Sequence, residues 1–93
     1  MLEKDVEKEL VRKTEESGGM AWKFVSPGKS GVPDRIILLP NGKIGFVELK
    51  APGEKMRPLQ IKRKEQLEKL GFMVFMVDAK ERIDSVLNEI RTI

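Results

Sequence analysis

Residues 31–50, GVPDRIILLPNGKIGFVELK, decide how this 93-residue chain folds. Two aliphatic, β-branched stretches, 34–39 and 43–50, stand either side of Pro40-Asn41-Gly42, whose Asn-Gly pair tolerates the positive φ of a hairpin turn. The stretch therefore reads as an antiparallel hairpin. Side chains alternate faces along a strand, so Val47 and Leu49 share the face turned to a core while Glu48 and Lys50 share the other. Taken by themselves, Glu48 and Lys50 read as the wet side of a half-exposed strand. Asp34 changes that reading, because the hairpin brings the start of its first strand alongside the end of its second. Register then matters. A two-residue loop at Asn41-Gly42 sets Asp34 opposite Leu49, on the wrong side. A loop with an odd number of residues, such as a three-residue turn with a bulge, or a bend near Pro33, puts Asp34 on the face of Glu48. The sequence predicts one of these irregularities.

Working outward, Leu2, Val6, Leu10 and Val11 recur at helical spacing, and Gly18-Gly19 follow as a left-handed stop. MAWKFV, residues 20–25, reads as a strand and SPGKSGVP as a loop. Beyond APGEKMR comes a second helix, with Pro58 in its first turn, Leu59, Leu67 and Leu70 among its apolar positions, and Gly71 closing it. FMVFMV, residues 72–77, is apolar throughout and fits a core strand covered on both faces. Asp78 and Glu81 have capping-box spacing ahead of Ile83, Val86, Leu87 and Ile90, which mark a third helix. The order is α-β-β-β-α-β-α, a mixed sheet with helices packed on it, in one domain spanning residues 1–93. Trp22, lying on a strand, reads as packing more readily than as a stacking platform.

Composition narrows the chemistry. Cysteine and histidine are absent, which removes thiolate and imidazole metal sites, zinc included, together with every nucleophile that needs an imidazole base. Tyrosine is absent too, closing a covalent phosphotyrosine route. Any metal must be held by oxygen. No apolar run approaches the roughly 20 residues of a membrane span, and the charged start MLEKDVEKEL lacks a signal-peptide core, so a soluble, intracellular protein is expected. The net charge of +3 is unevenly laid out: residues 1–17 and 65–93 each carry four basic and six acidic groups, whereas residues 18–64 carry ten basic and three acidic. That basic middle third suits a polyanion. A domain this small buries only about two-thirds of its unfolded surface, which makes self-association an expectation.

Two carboxylates forced together by a hairpin repel strongly unless a proton or a cation lies between them. Asp34 and Glu48 therefore imply a hard divalent ion, Mg²⁺ or Mn²⁺.

Pro33-Asp34, then thirteen residues, then Glu48-Leu49-Lys50, resembles the signature of the PD-(D/E)XK nuclease superfamily. The wider run GVPDRIILLPNGKIGFVELKAPGEKMRPLQ is similar to the VRR-NUC family of phage-type replication-repair nucleases, and the core arrangement is shared with Holliday-junction resolvases. The resemblance extends from the first helix to about Asp78. It implies a restriction-endonuclease-like α/β fold, with an α-β-β-β-α-β core and a mixed sheet flanked by helices. It also implies that Asp34 and Glu48 are metal ligands, that Leu49 adds its backbone carbonyl, and that Lys50 stands near the attacking water. A further acid from the first helix is expected, with Glu7 chosen at the border of the buried stripe and Glu3, one turn earlier, in reserve. Gln60 matches the family glutamine at the start of the following helix.

The expected activity is Mg²⁺-dependent, structure-selective hydrolysis of branched DNA, a Holliday junction or flap, leaving a 5′-phosphate and a 3′-hydroxyl, in a DNA-repair setting. Lys23, Lys29, Arg35, Lys55, Arg57, Lys62, Arg63 and Lys64 are the candidate phosphate contacts. A homodimer presenting two sites is the economical way to cut both arms of a junction. The rivals are a catalytically silent nucleic-acid-binding module, which has no need to hold Asp34, Glu48 and Lys50 together, and a sequence-specific restriction-type nuclease, which needs reading elements that 93 residues hardly accommodate.

Overall fold

The computed structural model describes residues 2–93. Helix α1 (Glu3–Glu16) buries Val6, Leu10 and Thr14. Thr14 is a polar residue on that buried stripe, and its hydroxyl donates to the Leu10 carbonyl at 2.7 Å, which satisfies it within its own helix. The helix ends at the two glycines. Gly18 adopts φ +83°, its N–H meets the Glu15 carbonyl, and the Gly19 N–H meets that of Thr14, both at 3.0 Å. This is a Schellman closure, and it turns the chain into the sheet.

The strands are β1 (Met20–Lys23), β2 (Arg35–Leu39), β3 (Lys43–Leu49) and β4 (Met73–Val77), with α2 (Pro58–Lys69) between β3 and β4 and α3 (Ile83–Arg91) last. The expected element order holds, each strand being a residue or two shorter than its apolar run. The sheet runs β1-β2-β3-β4, antiparallel across its first two pairings and parallel between β3 and β4. This mixed four-stranded sheet with flanking helices is the restriction-endonuclease-like arrangement anticipated above. Among the described residues no helix is long and apolar enough to cross a membrane.

One face of the sheet is closed. Ala21, Ile37, Leu39, Val47, Leu49 and Val77 all project to it and pack with Val6 and Leu10 of α1 and Ile83, Val86, Leu87 and Ile90 of α3 in a single buried cluster. Gly45 lets α3 settle on β3, since a Cβ there would lie 2.5 Å from the Ile90 side chain. The opposite face is only partly covered by α2, which buries none of its own residues. Phe24, Phe46 and Phe72 form an aromatic row there, with ring centres 5.5 and 5.8 Å apart.

Three local expectations need correction. β4 is an edge strand whose two faces each carry one fully buried residue, Val74 towards α2 and Val77 towards α1 and α3, with Met73, Phe75 and Met76 half-buried, so the covering of FMVFMV is partial. Asp78 and Glu81 make no capping box: a 3₁₀ turn at Lys80–Arg82 leads into α3, with the Arg82 N–H on the Ala79 carbonyl. Trp22 is 55% exposed and is not core. It stands on the face that α2 leaves open.

Candidate active site

The hairpin turn sets the site. Leu39 pairs with Lys43, so the loop is Pro40-Asn41-Gly42, three residues long, with Asn41 at φ 68° and Gly42 at φ 72°. This is the odd loop that the register argument required. Counting back from Leu39–Lys43 through Arg35–Val47 brings Asp34 opposite Glu48, one step beyond the last paired residues of β2. The Asp34 carboxylate accepts the Leu49 N–H at 2.7 Å, which fixes it across the end of β3. On its other side the Asp34 carbonyl accepts the Phe24 N–H at 2.9 Å.

Glu48 is 1% exposed and Lys50 6%. They are not the wet side of a strand. Neither carboxylate oxygen of Glu48 has a hydrogen-bond partner, and these are the only buried side-chain polar atoms among the described residues left that way. A sealed, unpartnered carboxylate is costly when ionised. Burial first, then the neighbouring Asp34 carboxylate, push the Glu48 carboxyl up to about 8, with Lys50 pulling the other way. The structure thus holds a carboxyl that stays largely protonated at neutral pH and that a cation beside it would help to ionise. That donor set suits Mg²⁺ or Mn²⁺, because a small hard cation keeps several waters and commonly takes only one or two protein carboxylates. Among the described residues no three acidic side chains form a ready-made cluster of ligands, so the remaining positions would fall to backbone oxygen, water and substrate.

The two candidate acids of the first helix stand in different surroundings. Glu7 is engaged: its carboxylate accepts the Arg35 Nε–H at 3.0 Å, and Arg35 also donates to the Ala21 carbonyl at 2.8 Å. Glu3 is one turn nearer the helix start, about 6 Å along the axis. It lies near enough to Asp34, Glu54 and Lys50 for their charges to act on it. Desolvation, then the charges of Asp34 and Glu54, raise the Glu3 carboxyl above its ordinary range. Glu3 and Glu7 lie on one helix face, so helical periodicity does not choose between them; the structure pairs Glu7 with Arg35 and leaves Glu3 within reach of the charge of Asp34.

Two further expectations change. Arg35 cannot serve as a free phosphate contact, being largely buried beside Glu7. Strand alternation carried the signal, since a residue next to Asp34 must face the opposite side of the sheet, towards α1. Lys23 pairs with Arg35 in the register and shares that side, although it is exposed. Gln60 is occupied in helix capping, its side-chain carbonyl accepting the Arg57 N–H at 2.8 Å. Lys29, Lys55, Arg57 and Lys62 are exposed, whereas Arg63 donates to the Ser30 carbonyl and Lys64 pairs with Glu68 one turn on.

Comparison with known proteins agrees with this geometry. Residues 2–81 match the VRR-NUC domain family. The protein named "Putative nuclease p44" from Acyrthosiphon pisum secondary endosymbiont phage 1 is 51% identical over 85 residues, covering 91% of this chain and 90% of the relative. A solved structure described as a VRR_NUC domain superposes with a TM-score of 0.86 at 34% identity, over 92% of this chain and 94% of its own. With the hairpin, its paired acids and this near-complete overlap in hand, the chain belongs to the VRR-NUC domain family and is a nuclease.

Proposed function

We propose that the protein is a metal-dependent, structure-selective endodeoxyribonuclease that cuts branched DNA. The observation that carries this reading is the buried, unpartnered Glu48 carboxylate beside Asp34, with Lys50 on the same strand face. Asp34, Glu48 and the Leu49 carbonyl would hold Mg²⁺ or Mn²⁺, with Glu3 rather than Glu7 as the helix-borne acid. Such an ion, when bound, polarises the scissile phosphate, lowers the pKa of a bound water and offsets the charge that develops in the transition state. The protein's own groups do the positioning. Asp34 is clamped by the Leu49 N–H, so its orientation is set before substrate arrives. Lys50 orients the water and the phosphate; an ammonium must lose its own proton before it can act as a base.

Exposed Lys29, Lys55, Arg57 and Lys62 lie on the segments before and after the hairpin and grip phosphates without reading bases. Selectivity for junctions or flaps then comes from shape, and a two-fold dimer would offer two sites to opposite arms. Four-way-junction, flap and plain-duplex substrates incubated with Mg²⁺, beside Glu48→Gln and Lys50→Ala variants, test the proposal. Branched DNA is expected to be cut by the wild type and not by either variant. Binding to junctions with no cutting in Mg²⁺ or Mn²⁺ would establish a silent binding module instead. Cutting that follows sequence and ignores branching would establish a restriction-type enzyme.

A further inference from the structure

Between the end of β1, the loop that follows it and the C-terminal half of α2 lies an open cavity of about 510 Å³. Its walls are Phe24, Val32, Leu67 and Leu70. Lys29, Arg63 and Lys69 also line it, and no carboxylate among the described residues does. The size falls within the usual range for small-ligand sites, roughly 300 to 1,000 Å³, and an apolar interior bordered by convergent polar groups is the usual form. Two other open hollows, along α1, mix acids with bases at their walls. The α2 cavity alone among these three combines an aromatic wall with cations of one sign.

Its position relative to the acids is set by the sheet. The Phe24 N–H bonds to the Asp34 carbonyl at 2.9 Å, extending the β1–β2 ladder by one residue. Asp34 stands opposite Glu48 in turn. Phe24, Asp34 and Glu48 therefore form one row across three neighbouring strands, on the α2 side. At about 4.8 Å between strands, the Phe24 backbone lies roughly 10 Å from that of Glu48.

We propose that the cavity receives one unpaired nucleobase of the DNA strand, held against Phe24 and Leu70, with its flanking phosphates on Lys29 and Lys69. The ligand chemistry follows from the walls: a flat apolar body that carries negative charge at its edge. This inference rests on the nuclease reading and adds to it a physical source of selectivity. A base that is already unpaired enters without the cost of breaking a stack, so flaps, gaps and opened junctions are favoured over intact duplex.

The test places 2-aminopurine at an unpaired position of a flap oligonucleotide and at the same position of a fully paired duplex. Binding is followed in the Glu48→Gln background, where the strand stays intact. Stacking on Phe24 is expected to quench the fluorescence of the unpaired probe and not that of the paired one. Leu70→Ser removes an apolar wall at a residue 74% exposed, so the fold is kept. It is expected to weaken flap binding by about five- to hundredfold more than duplex binding, the range for loss of one stacked base. Phe24→Leu, which keeps apolar volume, should abolish the quench. Equal weakening of flap and duplex by Leu70→Ser, or a quench that survives Phe24→Leu, would overturn the proposal. So would light scattering in which Leu70→Ser splits a dimer while the probe signal is unchanged, since the cavity would then seat a second copy. The fluorescence result does not depend on cutting. A wild type that cuts nothing sinks the nuclease reading alone, and a silent probe with an active wild type sinks only the pocket.

Discussion

The two faces of the sheet differ in what they leave unfinished. On the side of α1 and α3, strand residues from Ala21 to Val77 meet helix residues from Val6 to Ile90, and the buried cluster they form is apolar throughout. On the side of α2, the same strands carry Glu48 with both oxygens unpartnered, Lys50 buried beyond it, and Trp22 more than half exposed. Both faces are built by the same alternation in the same strands. Stability is therefore concentrated on the closed face, whereas the open one carries the carboxylate for which the fold itself supplies no partner. A domain of this size can hold a destabilising carboxyl because its other face closes over an apolar cluster and, among the described residues, leaves no buried side-chain polar atom unpartnered.

The largest expected effect breaks that division directly. Glu48→Gln should abolish cutting, by a thousandfold or more, while leaving the melting temperature unchanged or raised, since it removes a buried group that resists ionisation. Leu10→Ala, on the closed face, should instead cost about 2 to 5 kcal/mol of stability and lose activity only through unfolding. Parallel cleavage assays and thermal melts on the two variants check the contrast. Equal losses of stability would erase the distinction between the faces.

The pH dependence sharpens it further. Glu48 in the folded protein is raised to about 8, against an ordinary value of 4.5. Between those values the unfolded chain has released a proton that the folded chain retains, so metal-free stability should fall as pH rises from about 4.5 to about 8. The loss is of order a few kcal/mol. It should vanish in Glu48→Gln and diminish when Mg²⁺ is present. Denaturant melts across pH, with and without the ion, measure it.

Smaller effects separate the two helix-one acids. Glu3→Gln is expected to reduce cutting about 10- to 100-fold, with a higher Mg²⁺ requirement and an unchanged melting temperature. Glu7→Gln removes a partly buried ion pair with Arg35, and should cost about 1 kcal/mol or less with the Mg²⁺ requirement preserved. Metal titrations of activity on both variants decide the assignment; a raised requirement in Glu7→Gln alone would reverse it.

Much of this was legible in the residues, for reasons that can be named. Strand alternation and the Pro40-Asn41-Gly42 turn sufficed to require an odd loop once Asp34 and Glu48 were asked to meet, and the register shows that loop. Gly18 and Gly71 marked helix ends because both take positive φ, with Phe72 completing the second closure on Leu67. What escaped depended on position along an axis and not on which face a residue occupies. Glu3 and Glu7 are equivalent by periodicity and differ only in their level against the sheet. Gln60 could be a ligand-side amide or a cap, and its distance to the Arg57 N–H is a matter of backbone geometry. The exposure of Trp22 arises because α2 lies over one part of a face that sequence pattern describes as continuous.

The most direct measurement is anomalous diffraction from crystals of the wild type grown with Mn²⁺. A single strong peak between the carboxylates of Asp34 and Glu48, absent from Glu48→Gln crystals, is the expected result. Ordered crystals in saturating Mn²⁺ that show no peak there, with Glu48 still unpartnered, would contradict the claim that this hairpin exists to hold an ion.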